Sequence, residues 1–308
     1  MKKRRKLNIK NLIIMSGLLI VIIFLLVLGI KTIINIVTNS DTENETVVEG
    51  EKEEMKQFDF DLYSKEYILV DVDENKILYG KDIDKKISPA SLTKVLTLDA
   101  VVNNVTDFTQ KSYYSNDDYD ELISANASLA GLNYNQSYSI DDYLYALILP
   151  SGADGARGLE KYFISKGINL VQEMNRICDR LGLKNSYFTN PTGLDDINLY
   201  TNLSDYSKIV LDVLNNEKGT SILETIKVVL DDDITLNSTL LPLIERSDNV
   251  AVLGGKTGFT YEAGENILVI YKVEEKTYFL VLAGAQGNPY KGELYHMDDV
   301  NKIFENLY

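Results

Sequence analysis

Ser88-Pro89-Ala90-Ser91-Leu92-Thr93-Lys94 puts a serine at what reads as the first turn of a helix and a lysine three residues after it. Positions i and i+3 share one helix face, so the two side chains can touch. A serine hydroxyl becomes an effective nucleophile only when a neighbouring base takes its proton. The chain holds one histidine, His296, near its C-terminus, so a Ser-His-Asp triad would have to recruit that residue. Lys94 is the more economical base. Residues 91–102 carry Leu, Val and Ala on nearly every face, the pattern of a buried helix. Burial disfavours an ammonium and lowers a lysine pKa, as a neutral-amine base requires. An S-x-x-K alone is weak evidence, because average residue usage gives about one by chance in a chain this long.

Working outward, two later stretches add to it. Ser151-Gly152-Ala153 follows Pro150 in a loop between two helical patterns and by itself reads as a structural turn. Lys256-Thr257-Gly258 is scarcer, expected about once in 14 chains of this size. Its bland reading is a turn with a surface lysine. Here it stands where a strand begins, after Gly254-Gly255 and before Phe259-Thr260 and Ala263-Gly264.

The apolar patterns around these stretches define the architecture. Tyr67 to Val72, a turn at Asp73 to Lys76, and Ile77 to Tyr79 read as paired strands. Asn266 to Lys272 and Thr277 to Ala283 flank Val273-Glu-Glu-Lys276 as a β-hairpin. Both hairpin strands are apolar on both faces, so helices should cover both sides of their sheet. Between these ends lie helices. One begins at Ser139 with Asp142 as capping-box partner and stops at Pro150. Another starts at Asp154. A third runs from about Asn169 to Leu181 and ends at Gly182. A fourth, capped by Ser204, reaches Leu214. Residues 103–138 are polar and tyrosine-rich, with Ala127 to Leu132 embedded, and Met297 to Tyr308 is a closing amphipathic helix. The fold class is α+β: an antiparallel sheet built from both ends of the chain, with a helical insertion from about residue 91 to 215.

The N-terminal region differs in kind. Residues 1–10 are basic, and Leu12 to Ile30 is apolar except for Ser16, Gly17 and Gly29. Nineteen residues at 1.5 Å rise span roughly 28 Å, about the thickness of a bilayer core. A cleaved signal peptide is the alternative, but the apolar run continues through Lys31 to Val37 without a small-residue cleavage site. Residues 1–37 therefore read as a basic tail and an uncleaved membrane anchor, with the N-terminus in the cytoplasm and the body outside. Residues 38–57 read as an acidic flexible tether, and the folded domain is expected over 58–308. The net charge is −15 with the basic tail included, which argues against nucleic acid as a partner. Cys178 is the single cysteine, so no intrachain disulfide forms. With neither a C-x-x-C nor a histidine cluster, a metal site is not expected, and no cofactor is implied.

S-x-x-K, an S-G loop between helices, then K-T-G is the order found in the penicillin-recognising serine enzymes. From about Tyr67 to Leu307 the chain resembles the serine-type D-alanyl-D-alanine carboxypeptidases, the low-molecular-mass penicillin-binding proteins. The resemblance rests on Pro89 to Lys94, Ser128 to Leu132, Leu147 to Gly152 with Asp154, Met174-Asn175, Leu181 to Asn185, Phe188 to Asp195, and Lys256 to Thr260 with Ala263-Gly264. It implies a β-lactamase/transpeptidase-like fold, with a five-stranded antiparallel sheet beside a helical subdomain. The implied substrate is a peptidoglycan stem peptide ending in D-Ala-D-Ala, with β-lactams as covalent inhibitors. It implies Ser91 as nucleophile, Lys94 as its base and Ser151 as proton relay to the departing D-alanine. Lys256 and Thr257 would grip the terminal carboxylate, with Lys256 charged on a strand facing the substrate. The N–H groups of Ser91 and Phe259 would form the oxyanion hole. One departure stands out: the family's middle motif is usually Ser-x-Asn, and here its third residue is Ala153. Asp154 could partly substitute only if the loop is reshaped. A β-lactamase would need a carboxylate to activate the deacylating water, and the Asn190 to Asp196 loop has no glutamate. A non-hydrolytic wall or β-lactam sensor remains a different class of reading, and Ala153 favours it.

Overall fold

Strands whose side chains are apolar on both faces must be covered on both faces, and this sets the layer order. The computed structural model describes residues 55–244 and 250–308. Strands β1 (Glu66–Asp71), β2 (Lys76–Lys81), β7 (Ala251–Thr260), β8 (Gly264–Val273) and β9 (Lys276–Ala285) form one five-stranded antiparallel sheet in the order β2-β1-β9-β8-β7. Glu66 lies opposite Ala283, so the two ends of the domain meet at the sheet centre. Period-two alternation divides each strand between two cores. Ile68, Val70, Leu268, Ile270, Phe279 and Val281 enter one, and Tyr67, Leu69, Ile267, Val269, Leu280 and Leu282 enter the other. Each such side chain contributes about 1.5–3 kcal/mol by leaving water.

The larger core is filled by the helical insertion. A 3-10 turn, Ala90–Leu92, runs into α1 (Thr93–Asn104), whose residues 93–102 are all buried. Around it lie α2 (Asn116–Ser124), α3 (Ile140–Ile148), α4 (Ala153–Ser165), α5 (Leu170–Arg180), α6 (Leu203–Leu214) and α7 (Glu217–Leu223). The last helix, α8 (Tyr295–Leu307), covers the opposite sheet face with Met297, Val300, Ile303 and Phe304.

Capping chemistry sets several helix starts. Ser139 and Asp142 form the expected capping box, and Ser115 with Asp118 form a second one at α2. The latter lies in the polar, tyrosine-rich stretch, which also holds β3 (Lys111–Ser112), paired with β4 (Tyr138–Ser139) at the end of that stretch. The cap of α6 is Asn202 rather than Ser204, because the Asn202 side chain accepts from the Asp205 N–H. A small hairpin, β5 (Lys227–Val229) and β6 (Thr235–Asn237), completes the insertion. At the start of the domain the Lys56 carbonyl accepts from the Gly80 N–H, and Phe58 stacks on Phe60, Tyr67 and Tyr79. The apolar span and most of the acidic tether lie outside the described residues. Among those described, no helix is long and apolar enough to cross a membrane.

Candidate active site

A cavity of about 870 Å³ opens between the helical layer and the sheet edge at β7, and its lining includes Ser91, Lys94, Ser128, Ala153, Asp195 and Phe259. Ser91 stands in the 3-10 turn just before α1, rather than inside the first turn of the α-helix itself. Ala90 has φ +48°, and that strained turn sets the direction from which Ser91 enters the cavity. Lys94 Nζ lies 3.0 Å from Ser91 Oγ and donates to the Thr192 carbonyl at 2.6 Å. Thr97 binds the same loop through the Pro191 carbonyl at 2.8 Å. Lys94 is 2% exposed. Burial pushes its pKa down to about 7, against the pull of the Asp154 charge, which raises it. Near neutral pH much of Lys94 is therefore free amine, able to take a proton.

Two glycines let three backbone segments meet here. A side chain at Gly193, which has φ +79°, would bring a Cβ within 1.8 Å of the Ala90 carbonyl oxygen. At Gly258, on β7, a Cβ would stand 3.1 Å from the Ser91 nitrogen and from the Pro89 carbonyl oxygen. The Lys-Thr-Gly strand thus lies directly on the Ser91 turn, and Phe259 follows at the cavity wall.

Ser151, Lys256 and Thr257 are not among the cavity-lining residues. Ser151 has φ +65° and is 7% exposed, and among the described residues its Oγ has no hydrogen-bond partner. A buried hydroxyl left unpaired costs about 1–3 kcal/mol, and the strained backbone adds to that. Lys256 departs from the sequence expectation. It is 0% exposed rather than open to the substrate, and its Nζ donates to the Thr257 carbonyl at 2.7 Å. Burial holds its pKa well below the ordinary value, and the neighbouring Lys94 lowers it further. β7 is an edge strand, but its Lys256 position is covered, which the sequence pattern around the glycines does not reveal.

Ala153 contributes no polar side chain, although its N–H donates to the Ser128 carbonyl at 2.7 Å. Asp154 does not take over the missing amide. Its Oδ1 accepts from Ala130 N–H at 2.8 Å, and its Oδ2 from Gly131 and Leu132 N–H at 3.0 and 3.1 Å. Both oxygens are committed to holding the 128–132 loop against α4. Burial raises its pKa even so, against four backbone N–H groups that lower it.

Sequence reasoning missed several parts. Thr239 Oγ1 meets Thr257 Oγ1 at 2.7 Å, and the Thr239 N–H donates to the Leu149 carbonyl, tying β7 to the end of α3. Tyr261 and Tyr290 also line the cavity, flanking Phe259 edge to face at 5.4 and 5.7 Å. None of these carries a local sequence signal. His296 lies away from the cavity lining, with Nδ1 3.1 Å from a Glu265 carboxylate oxygen. Among the described residues no cluster of His, Cys, Asp and Glu could hold a metal ion.

The fold is that of the DD-transpeptidase class. The Streptomyces K15 DD-transpeptidase crystal structure superposes with a TM-score of 0.71 at 22% identity, covering 80% of this chain and 97% of that one. The model of the peptidase family S11, D-alanyl-D-alanine carboxypeptidase, matches residues 51–287, and the chain belongs to that family. It is 26% identical over 203 residues to D-alanyl-D-alanine carboxypeptidase DacF of Bacillus subtilis, covering 65% of this chain and 52% of that protein. With DacA of Haemophilus influenzae it shares 28% over 222 residues, covering 67% and 53%. The chain spans about half the length of these curated relatives.

Proposed function

We propose that this protein is a serine-type D-alanyl-D-alanine carboxypeptidase that trims the terminal D-alanine from peptidoglycan stem pentapeptides and is acylated by penicillin. Ser91 Oγ bonds to the carbonyl carbon of the penultimate D-alanine while its proton passes to Lys94 Nζ. The tetrahedral oxyanion sits against the N–H groups of Ser91 and Phe259, donors typically worth about 3–4 kcal/mol each in such transition states. The C–N bond to the terminal D-alanine then breaks, and the leaving amine takes a proton through Ser151. Water attacks the acyl-enzyme, releases the shortened peptide and returns the proton to Ser91. Lys256 becomes useful when the substrate carboxylate arrives. That anion offsets the cost of a buried ammonium, while Thr257 supplies a hydroxyl contact. The observation that carries the reading is the 3.0 Å approach of Lys94 to Ser91 in a buried turn that lowers the lysine pKa to about 7.

The basic tail and apolar span of residues 1–37 support a single-pass anchor, with the domain on the outer face of the cytoplasmic membrane, where such peptides are found. N-terminal sequencing that finds a mature chain starting after residue 37 would overturn the anchor. The catalytic test is D-alanine release from a stem pentapeptide by the full chain. Ser91→Ala is expected to abolish both release and covalent labelling by a fluorescent penicillin while keeping the fold. Ala153 supports one second reading, a binder that acylates and turns over poorly. Stable penicillin label without D-alanine release would select it.

A further inference from the structure

The mouth of the cavity carries chemistry that the acyl transfer leaves unused. Tyr261 is 82% exposed and Tyr290 is 74% exposed, yet both line the cavity. Neither is a loose side chain on a free loop. Thr260 Oγ1 accepts from the Ala263 N–H and closes the turn that carries Tyr261. The Asn288 side chain accepts from the Tyr290 N–H and caps the 3-10 turn Pro289–Lys291. Phe259, between them, fixes both rings edge to face. The loop that receives Lys94 contributes Asp195 to the same cavity. Among the described residues the Asp195 side chain has no hydrogen bond and no ion pair, and Lys94 is the one cationic side chain in the lining. Lys94 is occupied by Ser91 and Thr192 at the inner end.

Exposed aromatic faces together with an unpaired carboxylate attract a cation, through the ring quadrupole and through charge. A second carboxylate entering the mouth would meet Asp195 with no cation other than the occupied Lys94 among the described lining residues to balance it. We propose that the mouth is a subsite for a long side chain ending in an ammonium and lacking a free carboxylate, carried by the stem-peptide residue just before the D-Ala-D-Ala pair. Lysine-type stems fit this description, and diaminopimelate-type stems, with a carboxylate beside the amine, do not. The assignment rests on the carboxypeptidase reading of the cavity and names its substrate class.

The test uses the full chain and three pentapeptides that differ only at the third residue: L-lysine, Nε-acetyl-L-lysine and meso-diaminopimelate. Affinity is measured by calorimetry in the Ser91→Ala variant, and D-alanine release in the unmodified protein. The lysine peptide is expected to bind about fivefold more tightly than the other two, the combined size of one exposed ion pair and one exposed cation–π contact. Asp195→Asn in the same background should erase the difference between lysine and its acetylated form, and high salt should shrink it. The gain should appear in KM more than in kcat. Equal affinity for all three peptides, or a preference that survives Asp195→Asn, overturns the subsite even where D-alanine is released. A preference for lysine that Asp195→Asn erases, without D-alanine release, sustains the subsite and overturns the carboxypeptidase reading instead.

Discussion

Lys94 at the inner end of the cavity and Lys256 behind its lining are taken out of water with no carboxylate paired to either among the described residues. At the mouth Tyr261, Tyr290 and Asp195 stand in solvent. The first arrangement destabilises the fold, since burial disfavours both ammonium groups, Lys94 lowers the proton affinity of Lys256 further, and Ser151 adds an unpaired hydroxyl. The second costs little, because exposed side chains keep their hydration. The contrast teaches where to look for chemistry and where to look for selectivity. In the proposed mechanism, groups held at a stability cost serve the bond-making step, and in the proposed subsite, groups held at no cost discriminate among ligands.

The sharpest way to break this comparison is to exchange the two lysines for arginine. A guanidinium stays protonated, so Lys94→Arg should slow acylation by a β-lactam about 10³-fold or more, the upper part of the range for a general base. Lys256→Arg supplies a permanent cation for the incoming carboxylate and should slow acylation far less. Because Lys256 is wholly buried, the larger side chain should instead destabilise the fold by about 1–3 kcal/mol through overpacking. Equal losses of acylation rate, measured at saturating β-lactam, would mean that the two lysines do not divide the work in this way.

A second experiment measures the cost at the inner end directly. The folded-state pKa of Lys94, about 7, lies below its ordinary 10.5. Between these values the unfolded chain binds a proton that the fold does not, so the penalty is full below pH 7 and fades as pH rises toward 10.5. Lys94→Met should therefore stabilise the protein by up to about 4–5 kcal/mol at pH 6, and the gain should vanish near pH 10.5. Acylation by the unmodified protein should rise with pH through about 7. Denaturant melts of both proteins at three pH values would show this, and a pH-independent difference would contradict it.

The smallest expected effect lies on the same helix but outside the cavity. Asp99 is fully buried on α1, and burial together with the neighbouring Asp212 raises its pKa. Its stabilising contribution is present below the unfolded value and is lost as pH rises through the folded one. Asp99→Asn should add stability that grows as pH rises from the ordinary aspartate value toward the folded one, with penicillin labelling unchanged. If labelling falls with it, the cost carried by buried groups on α1 is not confined to the catalytic end.

Much of this was legible in local sequence. The i,i+3 spacing of Ser91 and Lys94 foretold their 3.0 Å approach, and the doubly apolar strands at both ends foretold the layers. The Ser139 capping box could be read because both partners lie within four residues. What could not be read depends on contacts distant in sequence. Thr239 reaches Thr257, the Thr192 carbonyl reaches Lys94, and Tyr290 reaches Phe259 only after folding. The burial of Lys256 was missed because glycines around it carry no hydropathy signal. The Ser204 cap was misplaced by two residues because Asn202 is an equally good capping residue. The anchor expected over residues 1–37 falls outside the described residues.

The central pairing of Glu66 with Ala283 carries a consequence for how the site comes into being. The nucleophile turn is made early during synthesis, but the strand that presses against it emerges only near the end. The sheet that positions that strand closes across almost the whole domain. Such topologies fold slowly, because loop-closure entropy is lost before the long-range contacts form. A ribosome-bound chain that stops before β7 holds Ser91 and Lys94 but not the surface behind them. Under the proposed acyl transfer, covalent capture of a β-lactam would therefore time the last folding event, staying silent until β8 and β9 have joined β1.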